Sequence, residues 1–451
     1  MMFKEFKQEL FAQAKAKGFT DYEILFLASN GFQVRVFEGE ITEYKNTTSQ
    51  GVGFRGTVNG KMGYAASEKM DASVIEPMLK NAAANAGIIE EEEGDVLYPG
   101  DEAYPEVCSY NPALNDTTAE EKINWALEME KYAKSLDPRV KMADFCIVGN
   151  QESEMAMANS YGLDLSQKRN MANALMIARV EENGVMKSAY DYWAGRDFAD
   201  FDYKALAKKT VDTALSYLGA ASMKTGTYPT VFDNNAAMDL FSVFSGIFMA
   251  ENAQKGFSLL NKDKIGTQIA SPLITLRDDG VCDLSLGSMA FDAEGVATKQ
   301  KAVIEDGVLK TLLYNLKSAA KDGVKSTGNA SKAGLGGAIG TSCTNFYVVP
   351  SEVSFDEMIS GVESGVIITD MAGLHSGVNP VSGDFSVSAD GFLIENGKKS
   401  RPVEQITIAG NFYELMKDIT AVASDLRFHS RGDGGIGMPS VLVSGLRVSG
   451  L

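Results

Sequence analysis

Histidine is almost missing from this chain: His375 and His429 are the only two in 451 residues. They lie far apart, and neither belongs to a helix carrying two histidines one turn apart beside a glutamate, so a zincin-type site is not expected. Cysteine is scarce too. Cys108, Cys146, Cys282 and Cys343 show no short spacings, which argues against a zinc ribbon or a disulfide framework and for reduced thiols in a cytoplasmic protein. No apolar run approaches the roughly 20 residues that cross a bilayer. The opening "MMFKEFKQELFAQAKAKG" is charged throughout, unlike a secretory signal. Basic charge is the remaining deficit: 42 Lys and Arg face 60 Asp and Glu, for a net charge of −18. With no basic cluster, the attraction to a phosphate backbone is absent, and direct nucleic-acid binding is excluded along with membrane insertion.

Catalytic signatures are also lacking. There is no G-x-S-x-G nucleophile elbow and no Gly-Lys followed by Ser or Thr. "GLGGAIG" at 334–340 misses the spacing of a dinucleotide loop. Acidic pairs abound, but the sequence does not say which are buried.

What is present is an ordinary globular composition, 45% apolar and 23% charged, in a chain long enough for two or three domains. Phe3, Phe6, Leu10, Phe11 and Ala14 recur at helical spacing up to Gly18. Strand-like segments follow, with turns at Glu38-Gly39 and Asn59-Gly60. A helix over "DASVIEPMLKNAAANA" has Ser73 and Glu76 at capping-box spacing and Pro77 in its first turn. Residues 87–106, acidic and rich in Gly and Pro, form a linker or long loop. A second helix–strands–helix pass runs from a capping box at Thr118 and Glu121, through turns at Tyr161-Gly162 and Asn183-Gly184, to "YKALAKKTVDTALSYLGA". From about residue 221, Gly and Ser rise, and hairpins turn at Asp306-Gly307 and Asn396-Gly397. The expectation is an α+β protein with an N-terminal α+β region over 1–220, made of two similar passes. A C-terminal domain of mostly antiparallel sheet with packed helices, including one at "NFYELMKDITAVASDL", covers 221–451.

One helix, "NNAAMDLFSVFSGIFMAENAQKG" at 234–256, carries an apolar stripe of Ala237, Leu240, Phe241, Phe244, Ile247 and Phe248. Its other face is small or polar: Asn235, Asp239, Ser242 and Gly246. A core helix with a tightly packed second face accounts for that pattern.

Longer stretches carry a family resemblance. "FDAEGVATKQKAVIEDGVLKTLLYNLKSAAKDGVKSTGNA" (291–330), "GVNPVSGDFSVSADGFLIENGKKSRPVEQITIAGNF" (377–412), the terminal "GMPSVLVSGLRVSGL" and "VRVFEGEITEYKNTTSQGVGFR" near the start resemble the PmbA/TldD proteins, historically labelled modulators of DNA gyrase. The resemblance covers nearly the whole chain. It implies a family of two cooperating branches. The TldD branch is a metallopeptidase whose H-E-x-x-x-H helix and a later Cys bind zinc, with the Glu as base. The PmbA or TldE branch lacks that motif. Counting back from Lys255-Gly256, the motif falls near 241–246, where Phe241, Ser242 and Gly246 stand approximately in place of His, Glu and His. No Cys follows Cys343.

The resemblance therefore implies no catalytic or metal-binding residue in this chain, with zinc only in a TldD-like partner. It points to a non-catalytic subunit of a cytosolic TldD/TldE-type peptidase complex, as homo- or heterodimer. Substrates would be peptides or small proteins, as in antibiotic-peptide maturation and antitoxin degradation. Two small polar segments are candidates for contact with a peptide channel: Ser326, Thr327, Gly328 and Asn329, and Asn379, Gly383, Asp384 and Ser386. A self-associating binding or scaffold protein without a peptidase partner is the alternative.

Overall fold

Hairpin turns are where sequence and structure meet most directly. Asn59, Asn183, Asp306 and Asn396 have φ of 51°, 52°, 48° and 51°, and each is followed by a glycine that also has positive φ. These consecutive left-handed residues match the right-handed twist of the flanking strands. The computed structural model describes residues 1–88, 96–431 and 434–450; residues 89–95 of the acidic linker lie outside it.

The first half contains α1 (Phe3–Ala16), β1 (Tyr22–Phe37), β2 (Glu40–Val58), β3 (Lys61–Ser67), α2 (Ile75–Ile88), α3 (Ala119–Leu136), β4 (Val140–Asn159), β5 (Asp164–Glu182), β6 (Val185–Gly195) and α4 (Tyr203–Ser216). The six strands form one sheet in the order β3-β2-β1-β4-β5-β6. The two passes thus meet back to back, with β1 and β4 antiparallel along Glu23–Val36 and Cys146–Asn159. Strand segments that look separate in sequence fuse into strands of 16, 19 and 20 residues. Helices cover one face. α1 and α2 bury Phe6, Leu10, Ile75 and Leu79 against Ile24, Phe26 and Phe54. α3 and α4 bury Met129, Ala133, Leu206 and Val211 against Val34, Val36 and Val148. Thr118 and Glu121 form the expected capping box on α3. For α2 the cap differs: a short 3-10 turn precedes it, and the Asp71 carboxylate, not Ser73, accepts from the Ser73 amide.

The second half opens with β7 (Gly226–Phe232), α5 (Asn234–Phe244) and α6 (Ala250–Gln254). There follow β8 (Leu276–Asp279), β9 (Gln300–Glu305), β10 (Val308–Leu309), α7 (Leu316–Asp322), β11 (Ala330–Lys332), β12 (Ile339–Thr341) and β13 (Asn345–Val348). The chain ends with α8 (Phe355–Ser360), β14 (Ser364–Ala372), β15 (Asp384–Glu395), β16 (Lys398–Asn411), α9 (Phe412–Lys417), β17 (Ile419–Val422), β18 (Arg427–Arg431), β19 (Gly434–Met438) and β20 (Val441–Ser449). One sheet runs β16-β15-β14-β7-β20-β17, and β20 also pairs with β16, closing five of its strands on themselves. A second runs β10-β9-β8-β13-β19-β18, and β11 and β12 form a separate hairpin. The architecture is α+β, with helices set against mainly antiparallel sheet.

Two expected helices are shorter than their patterns. The stretch 234–256 is broken: α5 ends at Phe244, a 3-10 turn covers Ser245–Phe248, and α6 restarts at Ala250. The break lets the backbone pair sideways, with Leu313 N–H donating to Phe248 O and Ala250 N–H to Leu313 O, both at 2.9 Å. The Asn252 amide then caps Gly246 O at 2.8 Å. The stretch "NFYELMKDITAVASDL" keeps only α9 as helix. Its β-branched Ile419 and Val422 pair with β20 instead, as their shape favours.

Candidate functional site

A face of the N-terminal sheet is left bare by the helices, and strand alternation decides which residues line it. Leu25, Leu27 and Ser29 of β1 point there, as do Ser49 of β2, Ser153 and Met155 of β4, and Gln167 and Met171 of β5. The C-terminal half lies over this face and leaves a cavity of about 960 Å³, closed from above by 286–293, 328–335 and 342–344. Its walls mix methionine and leucine with short polar side chains, and methionine suits a surface that must fit irregular apolar groups.

Close backbone approach seats the β11–β12 hairpin on the sheet. A Cβ on Gly53 would stand 2.9 Å from Leu335 O, so only glycine lets the hairpin tip sit there. On the opposite rim, the Tyr104 hydroxyl donates to Gly295 O at 2.8 Å.

Beneath the hairpin, Asp278 is fully buried. It accepts from Lys301 Nζ (2.6 Å), Thr344 N–H (2.7 Å) and Asn329 Nδ2 (2.8 Å). Asn329 also donates to Ser342 O at 3.0 Å. That fixes the amide orientation and leaves its buried Oδ1 without a donor in the protein; Thr344 Oγ1 is in the same condition. Both residues line the cavity. A buried acceptor left unmade costs about 1–3 kcal/mol, so this wall carries polar groups that the protein leaves uncompensated. Close by, Asp292 accepts from Glu294, Val296 and Ala330 amides at 2.9, 3.0 and 2.8 Å. Burial nevertheless pushes its carboxyl up to about 6, the amides and the Lys301 charge pulling the other way.

The candidate segments separate in space. Gly328 and Asn329 line the cavity. Ser326 and Thr327 turn inward, their hydroxyls donating to Tyr314 O at 3.1 Å. Asn379, Gly383, Asp384 and Ser386 belong to a turn leading into β15. Asn379 Oδ1 accepts from the Val381 and Ser382 amides, and Asp384 accepts from Ser382 Oγ and Asn411 Nδ2. Those two contacts hold the Asp384 carboxyl below its usual range. None of these four residues lines the cavity.

At the positions where the family resemblance puts the metal motif, Phe241 is 5% exposed. Its ring lies 5.6, 5.9 and 6.1 Å from Phe346, Phe412 and Phe248, and Phe412 stacks on Phe244 at 4.2 Å. Ser242 gives its carbonyl to Ser245 Oγ, and Gly246 gives its carbonyl to Asn252. A phenyl ring in an aromatic core, a hydroxyl and a glycine do not fit zinc. Among the described residues no three His, Cys, Asp or Glu side chains converge as a metal site.

The polar face of α5 does work of another kind. Arg427 donates to Asn235 Oδ1 at 3.0 Å and to Tyr192 O at 3.1 Å, pairs with Asp191, and lies over the Tyr192 ring at 4.4 Å. Lys209 completes the Asp191 pair at 2.8 Å. This cluster joins β6, α4, α5 and β18 across the two halves. Neither the cavity nor this cluster was visible in the sequence; only "STGN" pointed to one wall.

A split sheet of two fused passes, clasped to a β-rich half that buries a broken aromatic helix, is the build of a three-part metallopeptidase family. Models of PmbA/TldA metallopeptidase domain 1, central domain and C-terminal domain match residues 22–86, 112–218 and 225–450 in turn. The chain belongs to the PmbA/TldD family. It is similar to metalloprotease PmbA of Escherichia coli O157:H7, at 29% identity over 77% of this chain and 73% of that one. It is also similar to the metalloprotease TldD homologue of Haemophilus influenzae, at 28% over 95% and 93%. A crystal structure from Thermotoga maritima MSB8, named for modulation of a DNA gyrase, matches with a TM-score of 0.91 and 31% identity over 99% of this chain and 100% of that one. The chain is thus about equally similar to relatives named PmbA and TldD.

Proposed function

We propose that this chain is the non-catalytic, PmbA/TldE-like subunit of a two-component TldD/TldE-type peptidase that cleaves peptides or small unfolded proteins. The observation that carries the reading is Phe241: about where the resemblance puts a TldD-type zinc ligand, this chain buries a ring among Phe248, Phe346 and Phe412. Zinc and the attacking water then belong to a TldD-like partner. The role left to this chain is to hold the substrate, and the cavity roofed by Gly328 and Asn329 supplies the means. Extended peptide carries alternating side chains and backbone polar groups, and a lining that mixes methionine and leucine with short polar side chains suits both. The four cysteines are unpaired, which suits a reducing cytoplasm.

The test is to purify the chain with and without a TldD-like protein from the same cell and to follow cleavage of an unstructured peptide. Activity is expected only from the mixture. In the mixture, Ser153→Trp, which fills the cavity from a strand surface, should lower turnover at least about tenfold, while the two chains still co-elute. Self-association with no binding to the partner would overturn the proposal in favour of a scaffold. Full activity of Ser153→Trp would remove the cavity from it.

A further inference from the structure

A second cavity, of about 340 Å³, lies on the opposite, helix-covered face of the N-terminal sheet. Strand register builds its floor. Asn46, Phe32 and Asn150 stand side by side across β2, β1 and β4, and two residues along β1, Asn30 stands beside Glu152. Residues two apart on a strand share a face at a separation of about 6.8 Å.

Lys122, in the first turn of α3, lines this cavity. It is 5% exposed. Its ammonium donates to Asn150 Oδ1 at 2.6 Å and lies 4.9 Å from the Phe32 ring centroid and 5.7 Å from that of Phe198. Among the described residues it forms no ion pair. A buried ammonium facing one amide oxygen and two rings is poorly compensated for the water it has lost, and that desolvation lowers its pKa. The opposite charge is present in the same cavity but set back from it. The Glu152 carboxylate is held by the Tyr110 hydroxyl at 3.3 Å and Asn115 Nδ2 at 3.2 Å, beyond ion-pair distance of Lys122.

We propose that this cavity binds a free α-amino acid, whose carboxylate meets the Lys122 ammonium and whose α-ammonium meets the Glu152 carboxylate. One carbon separates the two charges of such a ligand. Its two ends can therefore turn to Lys122, which holds Asn150, and to Glu152, which stands two residues further along β4 on the same face. The Asn30 and Asn46 side chains, which line the cavity, supply donors and acceptors around it. The size is at the small end for ligand pockets, which limits the side chain of the ligand. Since free amino acids are end products of peptide hydrolysis, the site is placed to report product level, although its binding does not depend on the peptidase reading.

Isothermal titration of the full chain with glycine, alanine and leucine tests this, with acetate and methylamine as half-ligands. At least one amino acid should bind about tenfold or more tightly than either half-ligand. Lys122→Met, which keeps the packing and removes the charge, should abolish binding of amino acid and acetate alike. Glu152→Gln should remove the advantage of the amino acid over acetate and leave acetate unchanged. No saturable heat from any of the three up to about 20 mM overturns the proposal, since even a weak site of this kind lies near the millimolar range. Acetate matching the amino acids in the unmutated chain also overturns it, and needs no variant to fold.

Discussion

Replacing Phe241 with alanine separates a packing role from a vestigial one. The ring is buried and meets three other phenylalanines at 5.6–6.1 Å. Truncating a phenylalanine so placed costs about 3–5 kcal/mol through lost transfer energy and the cavity left behind. Each lost ring pair adds up to about 0.5–1.5 kcal/mol, part of it already inside that range. With a urea slope of about 3 kcal/mol/M, the midpoint should fall by about 1–1.7 M. The probe has to suit the region. Trp125 and Trp193 both lie in the N-terminal half, so tryptophan fluorescence follows the wrong module, and far-UV circular dichroism is the better measure. Ser242→Ala, one residue along but half-buried, should change stability by less than about 0.5 kcal/mol. A midpoint shift for Phe241→Ala below about 0.3 M at unchanged slope would refute the aromatic-core argument. The position would then be available to chemistry after all.

Three other outcomes follow from the same geometry. Asp292 is held above the unfolded carboxylate pKa of 3.8, at about 6. The folded state therefore binds the extra proton, so this contribution to stability is complete below 3.8 and is lost as pH rises through about 6. Asp292→Asn should be less stable overall yet flatter in denaturation midpoint between those values, and an unchanged slope would count against it. Arg427→Ala strips Asp191 of its partner at the junction of the halves while leaving Lys209, for a loss of about 3 kcal/mol. Arg427→Lys should not restore it, because a single ammonium cannot reach Asn235, Asp191 and Tyr192 O together; proteolysis rates report both. Gly53→Ala drives a methyl against Leu335 O and should speed amide exchange across 330–341 while sparing α1 and α2; uniform exchange would refute the seating.

Some of this fold was legible because the signals are local. Asn-Gly and Asp-Gly dictate backbone angles by themselves, and the Thr118–Glu121 box caps α3 whatever packs on it. The strands were harder. β1 packs its first half under α1 and α2 and its second half under α3, so its apolar pattern changes midway and looks like two short strands. The large cavity was hidden for a different reason. Ser29, Ser49, Ser153 and Gln167 look like solvent-facing residues, and nothing near them announces a roof more than 100 positions away. Lys122 has the same disguise: an ordinary helix-surface charge in sequence, it folds down from α3 onto Asn150 and Phe32 of the sheet.

The broken helix has a structural task that its packing explains. α6 carries Glu251, whose Oε1 accepts from Thr341 N–H at 2.9 Å, so the helix holds β12 in place. β12 pairs with β11, and β11 follows directly on Asn329 in the cavity wall. The α5–α6 unit is in turn fixed by the Phe241 cluster on one side and by Arg427 on Asn235 on the other. Removing the helix would release the hairpin and open the cavity. The aromatic residues thus fix the unit that holds the hairpin over the cavity.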